Sequence, residues 1–138
     1  MAEILTRCGY RCDLCLAYTE NIHGPADQKK ISDGWFAYYG FRIPPEEIRC
    51  DGCLTPDVER PRLVDARCPV RACVLGRGLA HCASCAEYVC EKLKTRIVSR
   101  AEIEAKLGRP IPEQDYRDFV RPYESRARLD ALRNADLL

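Results

Sequence analysis

Apolar side chains return at helical spacing in only a few stretches of this chain. Ile31, Trp35, Tyr38 and Tyr39 fall at i, i+4, i+7 and i+8, which predicts a helix with one face turned to a core. Pro25 suits the first helical position, where a missing N–H costs nothing, and Gly40 is a natural terminator. Phe41-Arg42-Ile43-Pro44-Pro45 reads as extended, because a proline disfavours helix at the residue before it. Pro69 predicts a short helix carrying Val70, Cys73 and Val74, with Cys68 at its N-cap and Gly76 and Gly78 at its end.

Ala86, Val89, Cys90, Leu93 and Ile97 keep a helical register and predict another helix. On it Cys90 faces inward, either as a ligand or as a small core residue. Ser99-x-x-Glu102 is a capping box, followed by Ile103 and Leu107 on one face and Gly108 as terminator. Pro112 opens a helix with Tyr116, Phe119 and Val120, and Pro122 opens a last one with Leu129 and Leu132. Period-two alternation is scarce. The expected class is therefore a mainly α, small, metal-stapled irregular fold: thiolate knuckles and short helices, closed by a helical C-terminal tail. Residues 1–138 read as one domain, with a cysteine-rich part at 1–97 and a tail at 98–138 that packs on it.

The staples are ten cysteines in 138 residues: Cys8-x3-Cys12-x2-Cys15, Cys50-x2-Cys53, Cys68-x4-Cys73 and Cys82-x2-Cys85-x4-Cys90. A two-residue gap lets two thiolates meet one cation through a tight turn. It occurs at Cys12/Cys15, Cys50/Cys53 and Cys82/Cys85. Gly52 eases the middle turn by accepting positive φ and leaving N–H groups aimed at sulfur. All ten cysteines are candidate ligands, and ten thiolates exceed one tetrahedral site, so at least two Zn²⁺ ions are expected. The two best-formed turns, Cys50/Cys53 and Cys82/Cys85, are expected to share one ion. The first cluster then takes its fourth ligand from Cys68, Cys73 or Cys90. Few apolar stripes run through the segment up to Glu91, so its folding is expected to require metal.

Other readings of the cysteines fit less well. The N-terminal Met1-Ala2-Glu3-Ile4-Leu5-Thr6-Arg7 carries no export signal and no apolar run is long enough to span a bilayer. A reducing cytoplasm is the expected compartment, which disfavours a disulfide framework. The first triplet has the spacing of radical-SAM enzymes, yet the chain of 138 residues is too short for a barrel of about 250. An iron–sulfur electron carrier is the main alternative, although the ferredoxin run of closely spaced cysteines is absent. A zinc-thiolate enzyme for alkyl transfer or hydrolysis is the other. His23 and His81 are the only histidines and no H-E-x-x-H motif occurs, so the sequence leans away from catalysis.

Charge adds one feature. The formal balance is +1, which gives no global reason to expect nucleic acid or membrane. Ionised thiols holding zinc would turn the chain negative, and Arg7, Arg11, Arg49, Arg67, Arg71 and His81 stand beside or between cysteines where they can offset that. From Arg60 to Arg77 five arginines face only the carboxylate of Asp65. This stretch either neutralises the thiolates or offers a protein or nucleic-acid partner a basic surface.

Taken in order, Cys8-Gly9-x-x-Cys12-x-x-Cys15, Cys50-Asp51-Gly52-Cys53, Cys68-x-Val70-Arg71-x-Cys73 and Cys82-x-x-Cys85-x4-Cys90 resemble a prokaryotic cysteine-rich domain of unknown function, the one numbered 3795. The tail Asp115-Tyr116-Arg117-Asp118-Phe119-Val120-Arg121-Pro122-Tyr123, with Arg128-Leu129 after it, is similar to that family's ending. The resemblance implies a zinc-binding protein of anaerobic bacteria and archaea and implies no activity. Family members often place a proline before the last cysteine, where this chain has Val89. The expected role is a structural-zinc binding or adaptor module.

Overall fold

A computed structural model describes residues 2–136; Met1, Leu137 and Leu138, the ends of the expected domain, lie outside the described residues. The fold is mainly α. Six α-helices follow in order: α1 (Pro25–Tyr39), α2 (Pro69–Gly76), α3 (Glu91–Lys94), α4 (Arg100–Leu107), α5 (Glu113–Phe119) and α6 (Arg126–Asp136). Among the described residues there is no strand, only two isolated bridges, Leu5 with Arg11 and Tyr18 with Cys50. Among the described residues no helix is long and apolar enough to cross a membrane.

Two apolar clusters organise these elements. The first gathers Ile31, Trp35 and Tyr38 of α1 with Ala17, Ile22, Ile48, Ile103, Ile111, Phe119, Val120 and Tyr123. It forms because α1 lies against α5 with no Cβ at Gly34, so the Phe119 ring packs directly on the helix backbone. The hydroxyls of Tyr38 and Tyr39 then donate to the Asp115 carboxylate and the Phe119 carbonyl, so neither is buried unpaired. α1 starts at Pro25 and is closed by Gly40 at φ 80, as the sequence predicts. The capping box also forms, with the Ser99 hydroxyl accepting from Glu102 N–H.

The second cluster is built partly of thiols: Cys8, Cys68 and Cys82 with Val70, Val74, Ala83, Leu93 and Leu129. α2 spans its expected range with Cys68 at its N-cap. The expected helix over 86–97 is mostly absent. Its only helical part is α3, and Cys90 is the extended residue before it, at φ −89 and ψ 171. Extended Cys90 interrupts the helical path, and before it Glu87 N–H faces the Cys85 sulfur and Tyr88 N–H the Cys85 carbonyl, closing a turn at Cys85 instead. The last helix also begins later than Pro122. That proline sits in a separate 3-10 turn, and its carbonyl accepts from Arg11 N–H at 2.9 Å and Arg128 Nη1 at 3.0 Å.

The tail reaches both clusters. Leu129 of α6 is fully buried among the cysteines, and Gly9, at φ 88, lets the chain beside Cys8 approach Ser125 and Leu129. Arg128 donates to the Gly9 carbonyl at 3.1 Å. Arg133 donates to the carbonyls of Ala83 and Cys85, both at 2.9 Å.

Candidate metal centre

All ten cysteines are free thiols; four of them, the smaller group, line one cavity, and of the remaining six, the larger group, Cys8 and Cys68 pack in one cluster with Cys82. In the smaller group, α2 supplies Cys73, the 3-10 turn at Cys82–Ser84 supplies Cys82 with Cys85 just after it, and Cys90 caps α3. These four line one cavity of about 20 Å³, closed by Val74, Leu79 and Leu93. The Cys85 sulfur accepts two outer hydrogen bonds, from Glu87 N–H and from Arg77 Nη1, both at 3.4 Å. Arg77 is held in turn by Glu87 at 3.2 Å. Burial pushes the Cys82 thiol up to about 12, and Cys8, Cys90, Cys85 and Cys73 add to it.

The larger group holds Cys8, Cys12, Cys15, Cys50, Cys53 and Cys68. A parallel bridge joins its first two blocks, Cys50 N–H donating to Ala17 O and Thr19 N–H to Cys50 O, both at 2.8 Å. Burial raises the Cys8 thiol to about 12, opposed by hydrogen bonds from the Thr6 hydroxyl and the backbone at Tyr10. Cys15 is pushed up to about 11 by burial, opposed by the Tyr123 hydroxyl, 3.0 Å from its sulfur, and by the backbone at Ala17. The neighbouring Cys12 thiol and burial push Cys53 above the ordinary thiol range. Cys85 accepts from the backbone N–H two residues on, and backbone groups two residues on also favour the ionised forms of Cys8, Cys15 and Cys50. N–H groups aimed at sulfur are what a thiolate knuckle requires.

The two doublets expected to share an ion, Cys50/Cys53 and Cys82/Cys85, do not line one cavity. Cys82 and Cys85 face Cys73 and Cys90, while Cys50 and Cys53 face the first cluster. Sequence spacing ranks turns by quality, but α2 folds back so that Cys73, not a distant doublet, completes the four. Among the described residues no three Cys, His, Asp or Glu side chains form, as they stand, a group that could hold a metal ion. What fits a metal is the chemistry of the donor set: sulfur donors only, outer N–H donors in place, and in the smaller group a cavity the size of about one water molecule.

The arginines expected near the thiols divide. Arg7 Nη1 and Arg71 Nε both donate to the Cys53 carbonyl, at 2.6 and 3.0 Å, so they do lie at the larger group. Arg11 instead pairs with Asp13 at 2.6 Å and holds that carboxyl down to about 2. Arg77, from the stretch read as either neutralising thiolates or meeting a partner, lies at Cys85, and Arg96, which the sequence reading did not single out, acts on Cys68. In the basic stretch, Arg62, Arg71 and Arg77 are spent on backbone carbonyls, carboxylates and sulfur, whereas Arg60 and Arg67 are exposed. His23 is exposed and its N–H meets Asp27. His81 is half-buried with Nδ1 unpartnered.

Fold and thiol placement define a cysteine-rich, mainly helical protein. The chain belongs to the DUF3795 family, described as proteins of unknown function, whose model matches residues 4–95. That span holds every cysteine and stops short of the tail segment Asp115–Tyr123 that the sequence likens to the family's ending. Comparisons with curated proteins and with solved structures gave no match.

Proposed function

We propose that this is a structural zinc-thiolate protein whose ions hold the cysteine-rich part in shape, so that it serves as a binding or adaptor module. The observation that carries this reading is the cavity that Cys73, Cys82, Cys85 and Cys90 line together with apolar side chains. Its volume of about 20 Å³ suits a single cation, and four thiolates close a tetrahedral zinc with no open position for substrate. The two N–H donors on Cys85 point the same way, since such bonds quieten a thiolate that would otherwise act as a nucleophile. Arg60 and Arg67 are exposed, which leaves two cations free for an acidic partner.

Elemental analysis and an absorption spectrum of anaerobically purified protein test the reading. Near-stoichiometric zinc in colourless protein is the expected result. Stoichiometric iron with acid-labile sulfide and broad visible absorption would replace it with an iron–sulfur electron carrier.

A further inference from the structure

A second hollow, an open cleft of about 290 Å³, is lined by no cysteine. Ile4, Tyr18, Leu54 and Pro56 give it apolar and aromatic walls, and Asp51 and Glu59 bring two carboxylates. No lysine, arginine or histidine lines it. Among the described residues neither carboxylate takes part in an ion pair. The arginines close by in the chain are engaged elsewhere: Arg62 Nη2 donates to the Glu47 carbonyl at 3.0 Å, and Arg71 pairs with Asp57 at 2.6 Å. Arg60, next to Glu59, is exposed and lies outside the lining.

The walls are held by the chain's own hydrogen bonds. Asp51 N–H donates to the Arg62 carbonyl and Arg62 N–H to the Asp51 carboxylate, both at 2.7 Å. The Thr55 hydroxyl donates to the Asp51 carbonyl at 2.9 Å, and Arg71 Nη2 to the Thr55 carbonyl at 2.7 Å. Tyr18 rests against Gly52, where a Cβ would lie 3.1 Å from a ring carbon. An aromatic and apolar wall beside uncompensated negative charge favours a flat cation. A guanidinium is weakly hydrated, stacks on aromatic rings and forks onto a carboxylate, whereas an ammonium is strongly hydrated and pairs as a point charge. The volume falls just short of the roughly 300–1,000 Å³ of small-molecule pockets, which suits one inserted side chain.

We propose that this cleft receives an arginine side chain of a partner protein, with its guanidinium over Tyr18 and paired with Glu59 and its stem along Leu54 and Ile4. Val58, 86 % exposed, and Leu54, 42 % exposed, offer the partner an apolar shoulder beside it. The inference rests on the binding-module part of the reading above and not on the identity of the metal. It gives the module a surface opposite in sign to Arg60 and Arg67.

The test is an NMR titration of the full, isotope-labelled chain, as purified, with the end-capped peptide Gly-Gly-Arg-Gly-Gly. Counterparts carrying lysine or the neutral isostere citrulline in place of the arginine run in parallel. Saturable shifts are expected at the amides of Tyr18, Gly52, Leu54 and Glu59, weaker ones with the lysine peptide and none with citrulline. Glu59→Gln and Tyr18→Leu should each weaken the arginine peptide by about 2–5-fold, and high salt should weaken it further. Absence of saturable shifts at the cleft, equal binding of the citrulline or lysine peptide, or full affinity in Glu59→Gln would overturn the proposal. So would concentration-dependent self-association that the arginine peptide reverses, which would assign the cleft to a second copy of the chain. Elemental analysis decides the metal separately: iron in place of zinc with peptide binding intact leaves the cleft standing, and zinc without peptide binding leaves the metal reading standing.

Discussion

Gly34 sits inside α1 where the Phe119 ring crosses it, and a Cβ there would overlap three ring carbons. Helix propensity alone would favour alanine by about 1 kcal/mol, whereas forcing extra volume into a packed core costs about 1–3 kcal/mol. Gly34→Ala is expected to lower the urea midpoint; a raised midpoint would show that the ring has room to move. Gly9 is constrained twice over, because φ 88 disfavours any side chain and an added Cβ would lie 2.7 Å from the Ser125 Cβ. Tyr123 acts differently. Its hydroxyl lies 3.0 Å from the Cys15 sulfur, and losing such an outer partner typically costs about 10–100-fold in metal affinity. Tyr123→Phe is expected to weaken zinc retention against a chelator by about 10-fold while circular dichroism stays unchanged. Unchanged retention would mean that the hydroxyl only fills space.

The helices that were legible in the sequence are those whose ends carry backbone chemistry. Pro25 and Gly40 bracket α1, Ser99 and Gly108 bracket α4, and Pro69 opens α2, each as the residues predict. The stretch from Ala86 to Ile97 misled because its register mixes two causes. Leu93 is buried by packing in the second cluster, while Cys90 and Tyr88 line the thiol cavity from extended chain. The candidate ligands were legible as types and spacings, but their grouping depends on α2 folding back toward Cys82, which no local pattern encodes. Metal dependence should differ between elements accordingly. Three of the eight buried residues in the second cluster are cysteines, and none of the eleven in the first. On chelation under reducing conditions, amides of α2 and α3 are expected to lose hydrogen-exchange protection before those of α1. The reverse order would show that packing, not thiolate ligation, holds α2 and α3.

Across the whole molecule the tail works as a clasp on the cysteine-rich part. Leu129 fills the second cluster, and Arg133 satisfies the carbonyls of Ala83 and Cys85 beside the smaller thiol group. Leu129→Ala is expected to cost about 2–5 kcal/mol and Arg133→Ala about 1–3 kcal/mol, from carbonyls left without donors. Both should appear as lowered unfolding midpoints of the zinc-loaded protein, and an unaffected midpoint in Leu129→Ala would mean that α6 does not hold the thiol cluster together. The clasp is the part least visible in the sequence, because its contacts run from the last helix to Gly9 near the start, and the family match ends at residue 95.

The central claim is that metal ligation, more than apolar burial, gives the cysteine-rich part its shape, and refolding by zinc tests it most directly. Reduced, metal-free protein is titrated with zinc while the near-UV signal of Trp35, the one tryptophan, and the cooperativity of urea unfolding are followed. A structural zinc contributes on the order of 10 kcal/mol. The metal-free chain is therefore expected to unfold without a sharp transition, and zinc to restore both the signal and the cooperativity at a fixed stoichiometry. A metal-free chain that already shows the full Trp35 signal and the same cooperative transition as the zinc-loaded one would contradict the claim.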